Sequence, residues 1–130
     1  MKSFRTFLTE NVTTTQSFKV KTVRPSDGAN AFQQGLMHVK NMPLDEGMFF
    51  IFEDEDYHGI WMKNTHIPLD VVWINENGTI VDIATLQPHD LHTTQPNQPA
   101  KYILEVNAGE FQGKVGDNIN NTELITHRNT

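Results

Sequence analysis

Three residues in the middle of this chain could do chemistry together: Lys63, Asn64 and Thr65, a cation, an amide and a hydroxyl in a row. They follow two large apolar residues, Trp61 and Met62, and precede Pro68, Leu69 and Asp70. If the segment ending at Met62 and the one starting at Leu69 are neighbouring strands, Lys63 and Asp70 share one rim, with Asn64 free to donate and accept. Such a rim suits a small anionic or polar ligand, Lys63 acting as point charge and Asn64 as orienter. A structural reading stands beside it: Lys63 pairs with Asp70 or Glu46, and Asn64-Thr65 satisfies backbone groups in a turn. The candidate ligand set is therefore Glu46, Trp61, Lys63, Asn64, Thr65 and Asp70. Trp61, next to polar residues, offers a stacking face for a sugar, whereas Trp73, inside an apolar run, reads as core.

Other clusters carry weaker chemistry. His89, Asp90 and His92 put three possible metal ligands within a short proline-rich stretch, but zinc sites need such groups fixed on ordered elements. His58 and His66 flank the Trp61–Asp70 stretch and add little. The acidic run Glu53-Asp54-Glu55-Asp56 lacks the alternating ligands and glycine of a calcium loop. No metal and no cofactor is expected. The chain has no cysteine, which removes thiolate chemistry, and no Gly-x-Ser-x-Gly elbow. Thr65 and His66 make no dyad, because adjacent residues of an extended segment point apart. An enzyme using Lys63 or Asp70 as acid or base remains the less favoured alternative to a binding domain.

The chain's 130 residues fit one domain with a sizeable core. A formal net charge of −6 argues against a bare nucleic-acid partner, which needs Lys and Arg against its phosphates. It equally disfavours an anionic membrane surface. No apolar run nears the roughly 20 residues of a membrane-spanning helix, and the first residues lack the apolar centre of a signal peptide. A soluble protein is the expectation.

The elements that must position these residues follow from pattern. Residues 1–16 read as a tail and linker, 17–124 as a single β domain, and 125–130 as a frayed end. Phe18 and Val20 alternate with Lys19 and Lys21 in a half-buried strand. A helix is expected from about Asp27 to Met37, with Ala29, Phe32 and Leu36 on one side. Met48–Phe52 is an apolar run of strand length, followed by an acidic loop at Glu53–Asp56. Short strands are expected at Ile60–Met62, Leu69–Asn75, Thr79–Ala84, Tyr102–Val106 and near Ile119. Asn77-Gly78 signals a type I′ hairpin. Gln87–Ala100 is a long proline-bearing loop. Six or seven strands with one or two short helices make a mainly β fold, a small and largely antiparallel sheet, curled or closed as a barrel.

The succession Gly35–Met37, Pro43–Phe52, Trp61–Thr65 (WMKNT), Ile67–Ile74 (IPLD and its strand), Ala100–Gly109 and Val115–Asp117 resembles the domain of unknown function 192 family over most of the chain. The resemblance implies a small, mostly β fold and no particular activity. Two departures are visible: many members carry a basic residue just before the Gly-Leu-Met, where Gln33 and Gln34 stand here, and many carry cysteines in the loop after the hairpin, where Pro88, His89 and His92 stand here. The N-terminal MKSFRTFLTE is similar to leaders of internal head proteins of large tailed bacteriophages, which end in a Leu/Ile-x-Glu site cut by the prohead protease. That likeness implies cleavage after Glu10, with Leu8 as the other recognition residue. It implies a virion or host-cytoplasm location, and a phage capsid or prohead protease as partner, alongside an unknown small ligand.

Overall fold

The computed structural model describes residues 16–119 and the backbone of residues 125–127. The candidate leader, with Leu8 and Glu10, lies outside these residues. Strand β1 (Phe18–Val23) buries Phe18, Val20 and Val23 and exposes the lysines between them, as alternation requires. The helix expected at about Asp27–Met37 is broken in two. A 3-10 turn (Pro25–Asp27) is closed by the Asp27 carboxylate, which accepts the Arg24 backbone N–H at 2.8 Å. Gly28 then takes φ +91°, a left-handed conformation open to glycine, and α1 (Ala29–Gln34) follows for six residues only.

Strand β2 (Glu46–Asp56) is longer than its apolar run. The acidic residues at 53–56 continue the strand as an exposed extension, past an irregularity in the pairing with β5 between Ile51 and Asp56. They form no loop. Strand β3 (Leu69–Ile74) is buried along its whole length, and β4 (Ile80–Leu86) returns beside it. The connecting hairpin is where Asn77-Gly78 puts it, but it is not type I′. That turn needs two central residues at positive φ, and here Gly78 has φ +86° while Asn77 does not. Asn75 holds the turn instead, its side-chain oxygen accepting the N–H groups of Asn77 and Thr79 at 3.0 Å each. Strand β5 (Ala100–Asn107) runs through the middle of the sheet. The end read as frayed holds β6 (Ile125–His127), paired parallel with β1.

The fold is mainly β. One six-stranded sheet has the order β4-β3-β5-β2-β1-β6. Pairings β3/β4, β3/β5 and β2/β5 are antiparallel, and those of β1 with β2 and β6 are parallel. The sheet is open, with β4 and β6 at its edges, and does not close as a barrel. Parallel β1 and β2 require a crossover, which residues 24–45 supply. That crossover carries α1 onto one face, where Ala31 and Phe32 pack on a core of Met48, Phe50, Val71, Trp73 and Ile103. On the other face Phe18, Val20, Phe49, Val72, Ile74, Leu104 and Val106 form a second core, covered by Phe111 and Ile119. The buried Trp73 indole donates to the His58 carbonyl at 2.8 Å, which satisfies its one polar atom.

Candidate functional site

Strand β5 puts Glu105 in the α1-side core. Side chains alternate along the strand: Leu104 and Val106 serve the second core, and Ile103 the first. Glu105 therefore faces the same side as Ile103, with Met48 of β2 and Val71 of β3 as its cross-strand partners. It is 4 % exposed. Among the described residues its carboxyl accepts no hydrogen bond and forms no ion pair. Burial alone pushes its pKa up to about 7, because the charged form is the one that suffers from losing water.

Above Glu105 lies a cavity of about 120 Å³. The Phe32–Met37 segment closes one side, Gly59–Met62 with Thr65 the other, and Phe50, Leu69 and Glu105 of the sheet form its floor. Among the described residues, Gln33 and Gln34 are the exposed polar residues of its walls, and Glu105 is the sole ionisable one. An open groove of about 410 Å³ adjoins it, sharing Phe32, Gln33, Phe50, Gly59 and Ile60 and adding Ala29 and Phe52. Phe32 binds this region together, its ring centroid 6.0 Å from that of Phe50 and 5.0 Å from that of Phe52.

The segment over the cavity is held by backbone bonds rather than by a strand. Residues Ile60–Met62, expected to form one, make a single bridge: Ile60 and Thr94 exchange N–H···O bonds of 2.9 and 2.8 Å. The partner is thus the long loop and not β3. Met62 N–H donates to the Asp90 carbonyl at 2.8 Å, and His89 N–H to the Thr65 carbonyl at 3.1 Å. His38 N–H donates to the Asn64 carbonyl at 2.8 Å, joining the segment to the turn after α1. His38, Asn64 and His89 are the non-glycine residues at positive φ (68°, 56° and 66°) among those described. All three take part in these joints.

This arrangement divides the residues that sequence drew together. Trp61 and Thr65 line the cavity. Thr65 is buried, and its hydroxyl donates to the Lys63 carbonyl at 3.2 Å. Trp61 is 37 % exposed, and Lys63 Nζ lies 5.2 Å from its ring centroid, so Lys63 is a cation at the rim. Asn64 points its peptide, not a ligand rim, at His38. Asp70 stands one residue out of phase with Leu69 and Val71 and so faces the second core. There it accepts the Thr85 hydroxyl at 2.7 Å and the N–H groups of Gly109 and Phe111 at 2.9 and 3.2 Å. Lys63 and Asp70 form no ion pair. Glu46 opens β2 opposite Lys19 and does not line the cavity.

The remaining clusters are structural on the geometry present. Asp90 accepts the His92 N–H at 2.9 Å in a local turn, and His66 Nδ1 meets His89 Nε2 at 3.3 Å on the surface. Among the described residues no group of three or more His, Cys, Asp or Glu is arranged to hold a metal ion. No helix among them is long and apolar enough to cross a membrane.

Two solved structures share this architecture. One is a Sinorhizobium meliloti 1021 protein, provisionally described as a transcription regulator. It is 34 % identical, with a TM-score of 0.71 over 76 % of this chain and 78 % of its own. The other is a protein of unknown function from Novosphingobium aromaticivorans DSM 12444, 28 % identical, with a TM-score of 0.72 over 78 % of this chain and 73 % of its own. Among curated proteins none matches the chain. The family model for DUF192, uncharacterized ACR, matches residues 9–120, from just before the polar linker to the last turn of the described domain, and the chain belongs to that family.

Proposed function

We propose that this domain is a non-enzymatic binding module for a small ligand, and that the ligand enters the cavity over Glu105. The observation that carries the reading is the Glu105 carboxyl, buried at the floor of a cavity and, among the described residues, without a hydrogen-bond or ion-pair partner. A polar group in such a place costs stability, and a ligand donor is what would satisfy it. Trp61 and Thr65 of the WMKNT segment belong to this site, and Lys63 borders it. The Thr65 hydroxyl already donates to a carbonyl, so Glu105 has no acid–base or nucleophilic partner among the walls, which favours binding over catalysis. A ligand-sensing role is compatible with the description of the Sinorhizobium relative. Direct contact with DNA is disfavoured by the net charge of −6. The test is a fragment titration followed by amide NMR: shifts should gather at residues 33–37, 59–65 and 103–106. Shifts confined to the Asp70 face would overturn the reading.

A second reading concerns delivery. The Leu8-Thr9-Glu10 sequence stands at the upstream limit of the family match, where a removable leader would be. On this reading the domain is a virion-associated phage protein whose leader meets a capsid or prohead protease. The intact mass of the protein from its native source tests it: a chain starting at Asn11 supports processing, and one starting at Met1 refutes it.

A further inference from the structure

The ligand's chemistry is constrained more tightly than its presence. Resting on the cavity reading above, we infer that the site takes a primary amine bearing an apolar tail, its ammonium group on Glu105 and its tail in the Phe32–Phe50–Phe52 groove. Several observations converge. The floor group is an acceptor that, among the described residues, finds no donor. Among the described residues none that lines the cavity or the groove is cationic; Lys63 stands at the rim, its Nζ 5.2 Å from the Trp61 ring centroid, and is not part of the lining. The cavity walls include Phe50 and Trp61, and Phe32 lines both cavity and groove; aromatic faces attract a cation and favour it further as water is excluded. The inner volume of about 120 Å³ is close to the roughly 150 Å³ of an engineered cavity that admits benzene. It holds a short head, and the longer part of the ligand belongs in the adjoining groove.

An anionic ligand fails in this site for the same reason that an amine succeeds. Above the Glu105 pKa of about 7 it would bring a second negative charge to a buried carboxylate. A neutral alcohol can hydrogen-bond Glu105 but cannot neutralise it. An ammonium ion does both, so it should draw Glu105 into its ionised form on binding. The proton released comes from Glu105 and passes to the buffer, and the amine keeps its own.

Three probes of one shape separate these cases: phenethylamine, 2-phenylethanol and phenylacetate. Isothermal titration at pH 6 and pH 8 against the full chain should show phenethylamine binding at least about tenfold more tightly than the alcohol, the scale of a hydrogen bond to a charged group. At pH 8, where Glu105 is ionised, phenylacetate should not bind. At pH 6 the heat should depend on the buffer's ionisation enthalpy, reporting proton release, and at pH 8 much less. Glu105→Gln should erase the preference for amine over alcohol, and the fluorescence of the buried Trp73 shows independently that the variant is folded. If alcohol and amine bind equally to the unaltered chain, the amine inference fails and the cavity reading survives. If no probe binds and none perturbs the amides around Glu105, the cavity reading fails with it.

Discussion

Replacing Glu105 with glutamine should change the pH dependence of stability in a direction that few single substitutions share. The folded-state pKa of Glu105 stands near 7 against a reference of 4.5. Below about pH 4.5 the carboxyl is protonated in both folded and unfolded chains and contributes no penalty. Between about 4.5 and 7 the unfolded chain loses the proton while the folded chain keeps it. The folded state then binds more protons, and stability must fall as pH rises. Above 7 the loss is complete, and a shift of this size corresponds to about 3 kcal/mol. Glutamine has nearly the same shape and no proton to lose. Every other ionisable group is common to the two proteins, so the informative quantity is the difference between them. Urea unfolding followed by the fluorescence of the buried Trp73 gives this difference, provided the slopes agree. The advantage of Glu105→Gln should grow by about 3 kcal/mol from pH 4.5 to pH 8. Parallel curves, or a rise of under about 1 kcal/mol, would show that water entering through the cavity mouth solvates the carboxylate, and would refute the argument from burial.

Other substitutions separate the two faces of the sheet and the loop joints. Asp70→Ala leaves two backbone N–H groups and the Thr85 hydroxyl without an acceptor. It should cost about 3 kcal/mol in a urea midpoint at pH 7, yet leave ligand-induced shifts around Glu105 unchanged; a loss of those shifts in folded protein would mean the faces are coupled. Lys63→Ala removes one exposed charge over Trp61 and should alter stability by less than about 1 kcal/mol, as chemical denaturation can check. Asn64→Val places a β-branched residue at φ +56° and should lower stability by about 1–2 kcal/mol, whereas Asn64→Gly should be nearly neutral in the same assay.

Where local pattern alone decides, the sequence was readable. The alternation of β1 and the apolar runs of β2 and β3 stand where periodicity places them, and the hairpin stands at Asn77-Gly78 though not as the type I′ turn that pair signals. The acidic residues at 53–56 misled because a strand end that is exposed on both sides looks like a loop. Residues Ile60–Met62 misled in the opposite way: they are apolar because they roof a cavity, without a strand beside them. The pairing of Lys63 with Asp70 rested on their being strand-end neighbours, and face is decided by register. Asp70 is flanked by Leu69 and Val71, both in the α1-side core, so its own side chain must go to the other side. Glu105 was open to view as a carboxylate between Leu104 and Val106 in the run YILEV. In a half-exposed strand a lone glutamate reads as the solvent-facing position. It becomes a buried acid only because the crossover from β1 to β2 and the WMKNT segment cover that face, a long-range event with no local signature.

The cavity itself follows from how that face is covered. A full-length helix laid on a sheet fills the space beneath it with side chains from several turns. Here α1 has six residues, and the rest of the cover and its bracing is irregular chain from three parts of the sequence, around His38, Ile60–Thr65 and His89–Thr94. Such chain can lie over a sheet only if its backbone groups find partners. They find them in one another: His38 with Asn64, His89 with Thr65, Met62 with Asp90, Ile60 with Thr94. Meeting those requirements needs left-handed conformations at His38, Asn64 and His89, each of which costs energy in a residue with a Cβ. The bonds join these segments to one another while Leu36, Met62 and Ile67 pack into the core, and a space remains between Trp61, Leu36 and Glu105. A roof tied in this way is formed before any ligand arrives. Binding then has little ordering entropy to overcome, and a substitution that loosens a joint, as Asn64→Val should, weakens affinity as well as stability.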